Sequence, residues 1–260
     1  MLLKANGMNY HIKNFILPIH LLSLLSIAAI ALGWISFSWL YFLVGWTVIY
    51  GLGLVVGFHK LLSHRAFTTN KYVAYVLAYF GCLGISGSPI WWTAIHRGHH
   101  HAHTEADRDL QTPRKGWFNS YIGWQFGDET SKISLKYAAD LLKDDYYVWL
   151  HKNYRLVVWG TVLAATLISP ALAASFLILP MLAAHHGENI TNLFGHSRFA
   201  GYRNFETKDD TVNNPLLALI TWGQLLHNNH HAKPNNDSFA VRWYEFDPTY
   251  PIVWILKKIK

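Results

Sequence analysis

Sixteen histidines stand in a chain of 260 residues, and most of them are gathered rather than scattered. Three clusters stand out: His59-Lys-Leu-Leu-Ser-His64; His96-Arg-Gly-His99-His100, followed by His101 and His103; and His227-Asn-Asn-His230-His231. In the second and third, imidazoles recur at i, i+3 and i+4, which on an α-helix stacks them on one face over successive turns. Three rings pointing one way can converge on a metal. The first pair is spaced i, i+5, about 140° apart on an α-helix. One of that pair must lie past a helix end, or the two must serve different metals.

Imidazole suits iron, copper, nickel and zinc, so ligand type alone does not name the metal. Number is more informative: eight histidines exceed what one metal uses, so two metals are expected. The His-Glu-x-x-His of zinc hydrolases is absent, and so is the Glu-x-x-His of carboxylate-bound di-iron bundles. An all-nitrogen, two-metal site remains, suited to oxygen activation on lipid. The isolated His11, His20 and His151 read as surface or interface residues, and the pair His185-His186 stays open between coincidence and function. Chance or pH sensing does not account for two His-x-x-His-His boxes beside a third pair. The single cysteine, Cys82, excludes an intrachain disulfide framework, a four-cysteine zinc site and a cysteine-held iron–sulfur cluster on this chain.

The elements that must position these histidines are written in the composition. Hydrophobic residues make up 52% and charged residues only 14%, against about 25% charged in ordinary soluble domains. Twelve tryptophans add to an aromatic content suited to a membrane–water interface. A net charge of +7 would suit nucleic acid, anionic lipid or a phosphate-bearing substrate. The apolar residues come in blocks of membrane-spanning length, which decides for lipid, and no nucleic-acid recognition motif is present.

Spans are expected at about 15–35 and 39–58, with no signal peptide, and Lys60, Arg65 and Lys71 form the basic flank expected on the cytoplasmic side. From Tyr154 to Asn192 about 40 residues allow two short spans, about 155–169 and 171–191, turning at Pro170. Leu141, Leu142, Tyr146 and Trp149 are spaced for an amphipathic surface helix. If the clusters share a site, they lie on one side of the membrane. The stretch 72–92 then cannot cross, and its Gly81, Gly84, Gly87 and Pro89 suit an interfacial or re-entrant segment. The expected fold is an all-α membrane protein. Four transmembrane helices in two hairpins carry a cytoplasmic helical cap with a di-metal site, in a single domain over 1–260 with both termini cytoplasmic.

The order and spacing of the three clusters resemble the membrane fatty acid desaturase family, in particular its stearoyl-CoA, Δ9-type branch. So do Glu105-Ala-Asp107 through Arg114-Lys-Gly116-Trp117, Tyr202-Arg-Asn-Phe205-Glu-Thr and Trp243-Tyr-Glu-Phe-Asp247. The resemblance covers roughly Gly57 to Asp247. It implies two iron ions with O2 as co-substrate, held by His59, His64, His96, His99, His100, His227, His230 and His231. A ninth ligand, His196, follows Asn192, which by resemblance holds one iron through water; His186 is the alternative ninth ligand. Gln224 stands near the place of a glutamate in relatives. Trp92 matches a tunnel-lining tryptophan, with an interfacial anchor as its other reading. Neutral ligands leave the metal charge uncompensated, which makes Glu105, Asp107, Glu188, Asp209 and Asp210 candidates to orient them.

The implied reaction inserts a cis double bond into a saturated acyl chain carried on CoA, an acyl-carrier protein or a phospholipid. No cytochrome b5 motif is fused to the chain, so an external donor of ferredoxin, rubredoxin or cytochrome b5 type is expected. Arg97, Arg108, Arg114 and Lys115 would dock that donor or hold a carrier phosphate. Compact size points to a bacterial inner membrane. The rival functions are a membrane hydroxylase or terminal-alkene-forming oxygenase on the same scaffold, and a metal transporter. A transporter would place its polar residues inside the spans as a path, whereas these cluster at span ends.

Overall fold

Runs of Leu, Ile, Val and Ala too long for strands, broken by glycine and proline, favour helices, and the computed structural model is helical. It describes residues 8–102, 104, 109–127 and 133–259. Among the described residues the only β pairing is two isolated bridges, Tyr202 with Asn213 and Asn213 with Leu226. The site candidates Glu105, Asp107 and Arg108, and the neighbouring His103, lie outside the described residues.

The helices that position the histidines are α1 (Ile12–Ala31), α2 (Trp39–Ser63), α3 (Lys71–Leu83), α4 (Pro89–Ile95), α5 (Asp145–Lys152), α6 (Tyr154–Ile168), α7 (Pro170–Gly195), α8 (His227–Ala232) and α9 (Tyr250–Leu256). Three of them, α1, α2 and α7, have 20, 25 and 26 residues and are long and apolar enough to cross a membrane. At 15 residues α6 is about 22 Å long, short of the ~30 Å hydrocarbon core. It ends where Ser169 turns extended and Pro170 opens α7. The Ser169 hydroxyl accepts the Leu172 N–H (3.3 Å), capping the new helix. Leucines at 17, 21, 24 and 25 of α1 are exposed, as they would be against lipid, while Ile19 is fully buried.

The stretch 72–92 is broken in two. α3 stops at Leu83, and the chain then turns through Ile85 and Gly87 at φ 48° and 105°. Ser88 caps α4 by accepting the Trp91 N–H (3.3 Å). At 13 residues α3 is about 20 Å long, again less than a crossing. His11, read above as a surface or interface residue, is buried here. Its Nε2 donates to the Ile85 carbonyl (2.7 Å), which the turn leaves without a helical partner. His151 is likewise engaged, with the Ser88 hydroxyl (2.6 Å).

Close helix contact is made possible by small residues. A Cβ on Gly53 of α2 would lie 2.5 Å from the Gly81 backbone nitrogen of α3, so neither position tolerates a side chain without separating the helices. The amphipathic helix expected from Leu141, Leu142, Tyr146 and Trp149 is met only in part by α5: Leu141 and Leu142 lie in a separate turn before it, and Trp149 is exposed. The α5 N-cap, Asp144, accepts the Tyr146 N–H (2.9 Å), and the helix buries Tyr147 and Leu150.

The C-terminal segment is tied to α2 by a buried ion pair. Lys60 and Asp247, both 1% exposed, meet at 2.7 Å, and Asp247 also accepts the Phe239 and Thr249 N–H groups. Removing one partner of such a pair strands the other charge, at a cost of about 3–5 kcal/mol. Asp247→Ala is therefore expected to lower the apparent Tm of the detergent-purified protein by several degrees or prevent recovery of folded protein. An unchanged melting curve would show that the pair does not tie these segments together.

Candidate metal centre

Three local geometries deliver the histidines to one end of the helices. The first is a π turn, in which each N–H bonds five residues back. At the end of α2 the His64 N–H donates to the His59 carbonyl (3.1 Å), and after α4 the His101 N–H donates to the His96 carbonyl (3.0 Å). A π turn holds about one residue more than an α turn, so i and i+5 come to lie on one side. The pair that diverged on an α-helix thus stands ring by ring, with His59 and His64 centroids 4.9 Å apart. The second geometry is the short α8, which carries His227, His230 and His231 at i, i+3 and i+4. The third is the end of α7, where His196 is the first residue past the helix.

These segments bring nine histidines into two groups. His59, His64, His96, His101 and His230 form one; His100, His196, His227 and His231 form the other. Within each, the ligand atoms lie within 4.8 Å of one another. In the first group Nε2 atoms approach at 2.7 Å (His64–His96), 2.9 Å (His59–His230) and 3.1 Å (His101–His230). In the second they approach at 3.0 Å (His196–His227) and 3.3 Å (His100–His196). Stacking of His101 on His231, with centroids 4.4 Å apart, joins the groups.

His99 is the expected ligand that lies outside both groups. Its ring meets the edge of Tyr137 instead. The reason is the π turn. An α-helical reading of His96-x-x-His-His selects positions 96, 99 and 100, whereas a turn one residue larger selects 96, 100 and 101. Three consecutive histidines make both registers possible, and hydrogen-bond geometry discriminates between them. Of the two alternatives for the ninth ligand, His196 joins a group. His186 bonds elsewhere, to His20 (3.2 Å) and the Tyr121 hydroxyl (2.7 Å).

The donor set fits metal. Asp209 accepts a hydrogen bond from His231 Nδ1 (2.9 Å), and the Gln224 carbonyl accepts one from His227 Nδ1 (3.0 Å). Each ring therefore carries its proton on Nδ1 and turns a lone pair on Nε2 toward its group. The His231 Nε2 is buried and, among the described residues, has no hydrogen-bond partner. Burial, with the proximity of His100 and Arg97, pushes His64 down to about 3. Burial and the nearby His100 do the same to His196. His96, His101, His227, His230 and His231 are held well below the usual imidazole range, first by burial and then by one another. All are neutral at physiological pH, the state in which imidazole ligates.

Around the groups the remaining candidates fall into place. Burial opposes ionisation of Asp209, but hydrogen bonds from Thr207 and Thr211 outweigh it and hold the carboxyl below its ordinary value. Asp109, buried and 3.7 Å from His100 Nδ1, stands beside the second group, too far for a hydrogen bond but close enough for its charge to be felt. No sequence signal separated it from its acidic neighbours. Glu188 accepts from Gln224 Nε2 (2.6 Å), and Gln224 also donates to the Tyr50 hydroxyl (3.1 Å), linking α7, α2 and the third cluster. Asp210 pairs with Arg198 and Arg114 at the surface. Arg97 is no docking residue: its guanidinium donates to the Leu62 (2.5 Å) and Ser63 (2.8 Å) carbonyls and pairs with Asp140 (2.7 Å). It closes the C-terminal carbonyls of α2 and locks the first cluster to the second.

Two of the segments that resembled the family outside the boxes, around Tyr202–Phe205 and Glu245, support the third cluster. Asn229 donates to Glu245 (2.9 Å) and accepts from Asn204 and Asn213. Asn228 accepts the Asn204 and Phe205 N–H groups, and the Tyr202 hydroxyl donates to Glu245 (2.6 Å). Trp92 stacks on His96, centroids 4.7 Å apart at 15°, and borders a cavity shared with His59, His96, His100 and His227. Asn192 borders the same cavity, its amide nitrogen donating to the Ser120 carbonyl (2.5 Å) and the Gln111 carbonyl (3.1 Å).

Known proteins resemble this chain over most of its length. The family model described as fatty acid desaturase matches residues 33–255. An sn-2 palmitoyl-lipid 9-desaturase of Nostoc is 32% identical over 80% of this chain and 74% of its own. A probable acyl-CoA desaturase of Schizosaccharomyces pombe is 30% identical over 79% of this chain and 44% of its own. A hex-5-enoyl-[acyl-carrier protein] acetylenase of Moorena producens is 28% identical over 95% of this chain and 84% of its own.

Two substitutions separate the ligand registers. His101→Ala is expected to lower bound metal by about one ion per chain, and His99→Ala to leave it unchanged, as read by elemental analysis of the purified proteins. The opposite pattern would restore the α-helical register. Asp209→Asn is expected to weaken metal affinity by roughly 10–100-fold while leaving the fold intact.

Proposed function

This chain belongs to the fatty acid desaturase family, an oxidoreductase family, and from that premise we propose that it is a membrane acyl desaturase using two histidine-held irons and O2 to insert a cis double bond into a saturated chain. The observation that carries the reading is the convergence of nine imidazoles in two groups beside one cavity. His59, His64, His96, His101 and His230 would hold one iron. His100, His196, His227 and His231 would hold the other, with Asn192 reaching it through water. Bound there and reduced by an external donor, the irons supply the oxygen activation that removal of two unactivated hydrogens requires.

The chain's own residues do the rest. Asp209 and the Gln224 carbonyl fix the tautomers of His231 and His227, so that lone pairs meet the metal without reorganisation. Trp92, flat against His96, forms a wall of the cavity and keeps water from the methylenes beside the histidines. The cavity fixes which carbons face the irons. The Nostoc relative, named a 9-desaturase, supports a Δ9 position. Relatives named for acyl-lipid, acyl-CoA and acyl-carrier-protein substrates share the acyl chain and differ in its carrier.

We propose four crossings, in one domain over 1–260, with both termini and the histidines on the cytoplasmic side of a bacterial inner membrane. The histidines follow the ends of α2, α4 and α7, and a return through α6 and α7 satisfies that parity. The shortness of α6 is met by local thinning of the bilayer. Electrons come from a separate ferredoxin-, rubredoxin- or cytochrome b5-type protein.

Expression in a host without its own desaturase is expected to yield new monounsaturated acids, and His230→Ala to abolish them. Hydroxylated or terminally unsaturated products would reassign the reaction, and an unchanged lipid profile with iron and a donor supplied would contradict it. Stripping the purified protein with a chelator is expected to remove activity that ferrous iron restores and zinc does not.

A further inference from the structure

α7 carries polar side chains well beyond the histidine groups. Positions 185, 189, 192 and 196 share one helix face, and His185 lies about 16 Å along the axis from His196. Both His185 and Asn189 border the cavity that touches His59, His96, His100 and His227, and so does Gln125, from the turn Gly123–Phe126. An alkyl chain needs none of these groups, and apolar residues would bind it better.

Their hydrogen bonds have a direction. Gln125 Nε2 donates to Asn189 Oδ1 (3.3 Å), and Asn189 Nδ2 donates to His185 Nε2 (3.4 Å). An amide nitrogen only donates, so His185 accepts at Nε2 and carries its proton on Nδ1. The row therefore ends in one free donor, His185 Nδ1–H, and one free acceptor, Gln125 Oε1. Both atoms are buried, and among the described residues neither has a hydrogen-bond partner. Orphaned polar atoms are uncommon in native interiors, and two at the ends of one row, on residues that border one cavity, call for a ligand that serves both. A hydroxyl does so, because it donates and accepts at a single oxygen. A ketone would serve only His185, and a plain methylene neither.

We propose that the cavity is built for an acyl chain bearing a hydroxyl group, held between His185 Nδ1 and Gln125 Oε1 while other carbons of the same chain lie beside the two histidine groups. This rests on the reading of the cavity as an acyl site and adds the class of chain it selects. His185, Asn189 and Gln125 are specificity residues here, set apart from the proposed metal ligands.

The test is displacement of radiolabelled stearic acid from the purified, iron-loaded protein in lipid nanodiscs. Competitors are unlabelled stearic acid and positional series of its monohydroxy and monoketo derivatives, with the same acids fed to the expression host to follow turnover. At one position of the hydroxyl, binding is expected to be roughly tenfold or more tighter than for stearic acid, with the ketone between them. His185→Leu and Gln125→Leu should each bring that ratio close to one, so a folding failure in either leaves the other and the wild-type series as readouts. Equal affinity across the series would overturn the proposal and leave the two atoms to trapped water, whatever the turnover. Failure of every acid to bind would overturn it as well. Hydroxyl-selective binding with no new double bond in any product would uphold the selective site and count against the desaturase reading alone.

Discussion

Nine imidazoles crowd into two small buried groups with their Nε2 atoms facing one another. Without a cation between them, lone pairs would oppose lone pairs at hydrogen-bond distance, and protonation would place charges where burial forbids them. Two metals would resolve the conflict by accepting every lone pair at once, so the site and the packing around it would stand or fall together. Lys60 with Asp247, Arg97 with the end of α2, and the Asn229–Glu245 network hold backbone segments in position so that the rings can converge. Neutral ligands also leave the metal charge to be offset nearby, and the carboxylates of Asp209 and Asp109 stand beside His231 and His100 for that purpose.

Helix type decides which histidines meet. Box spacings of i, i+3, i+4 describe an α-helix, and α8 uses them as written. The first two clusters lie on π-helical backbone, at the end of the stretch Thr47–Ser63 and over His96–His100, where i and i+5 become neighbours. This wider turn is a cooperative property of backbone hydrogen bonding and of the helices packed around it, Gly53 against Gly81 among them. No residue type signals it, which is why His64 looked misplaced and His99 looked well placed when judged by α-helical angles.

Much of the rest was legible. The apolar blocks mark α1, α2 and α7, the glycines and Pro89 mark the break between α3 and α4, and Ser169-Pro170 marks the turn before α7. Residue chemistry marked the metal centre, since nothing but a metal uses so many imidazoles. What was not legible depends on long-range contact. Arg97 looks like surface charge until the end of α2 is seen beneath it. Asp109 looks like its neighbours until His100 is seen beside it. His11 looks incidental until the carbonyl of Ile85 is seen to need a donor. The polar row on α7 was half visible in the pair His185-His186, but its direction requires Gln125, distant in sequence.

X-ray absorption at the iron edge, on iron-loaded protein of known concentration, addresses the central claim most directly. Two irons per chain, with first shells dominated by nitrogen and outer-shell scattering from four to five imidazoles per iron, is the expected result. One iron per chain, or a first shell built mainly of carboxylate oxygen, would contradict the account.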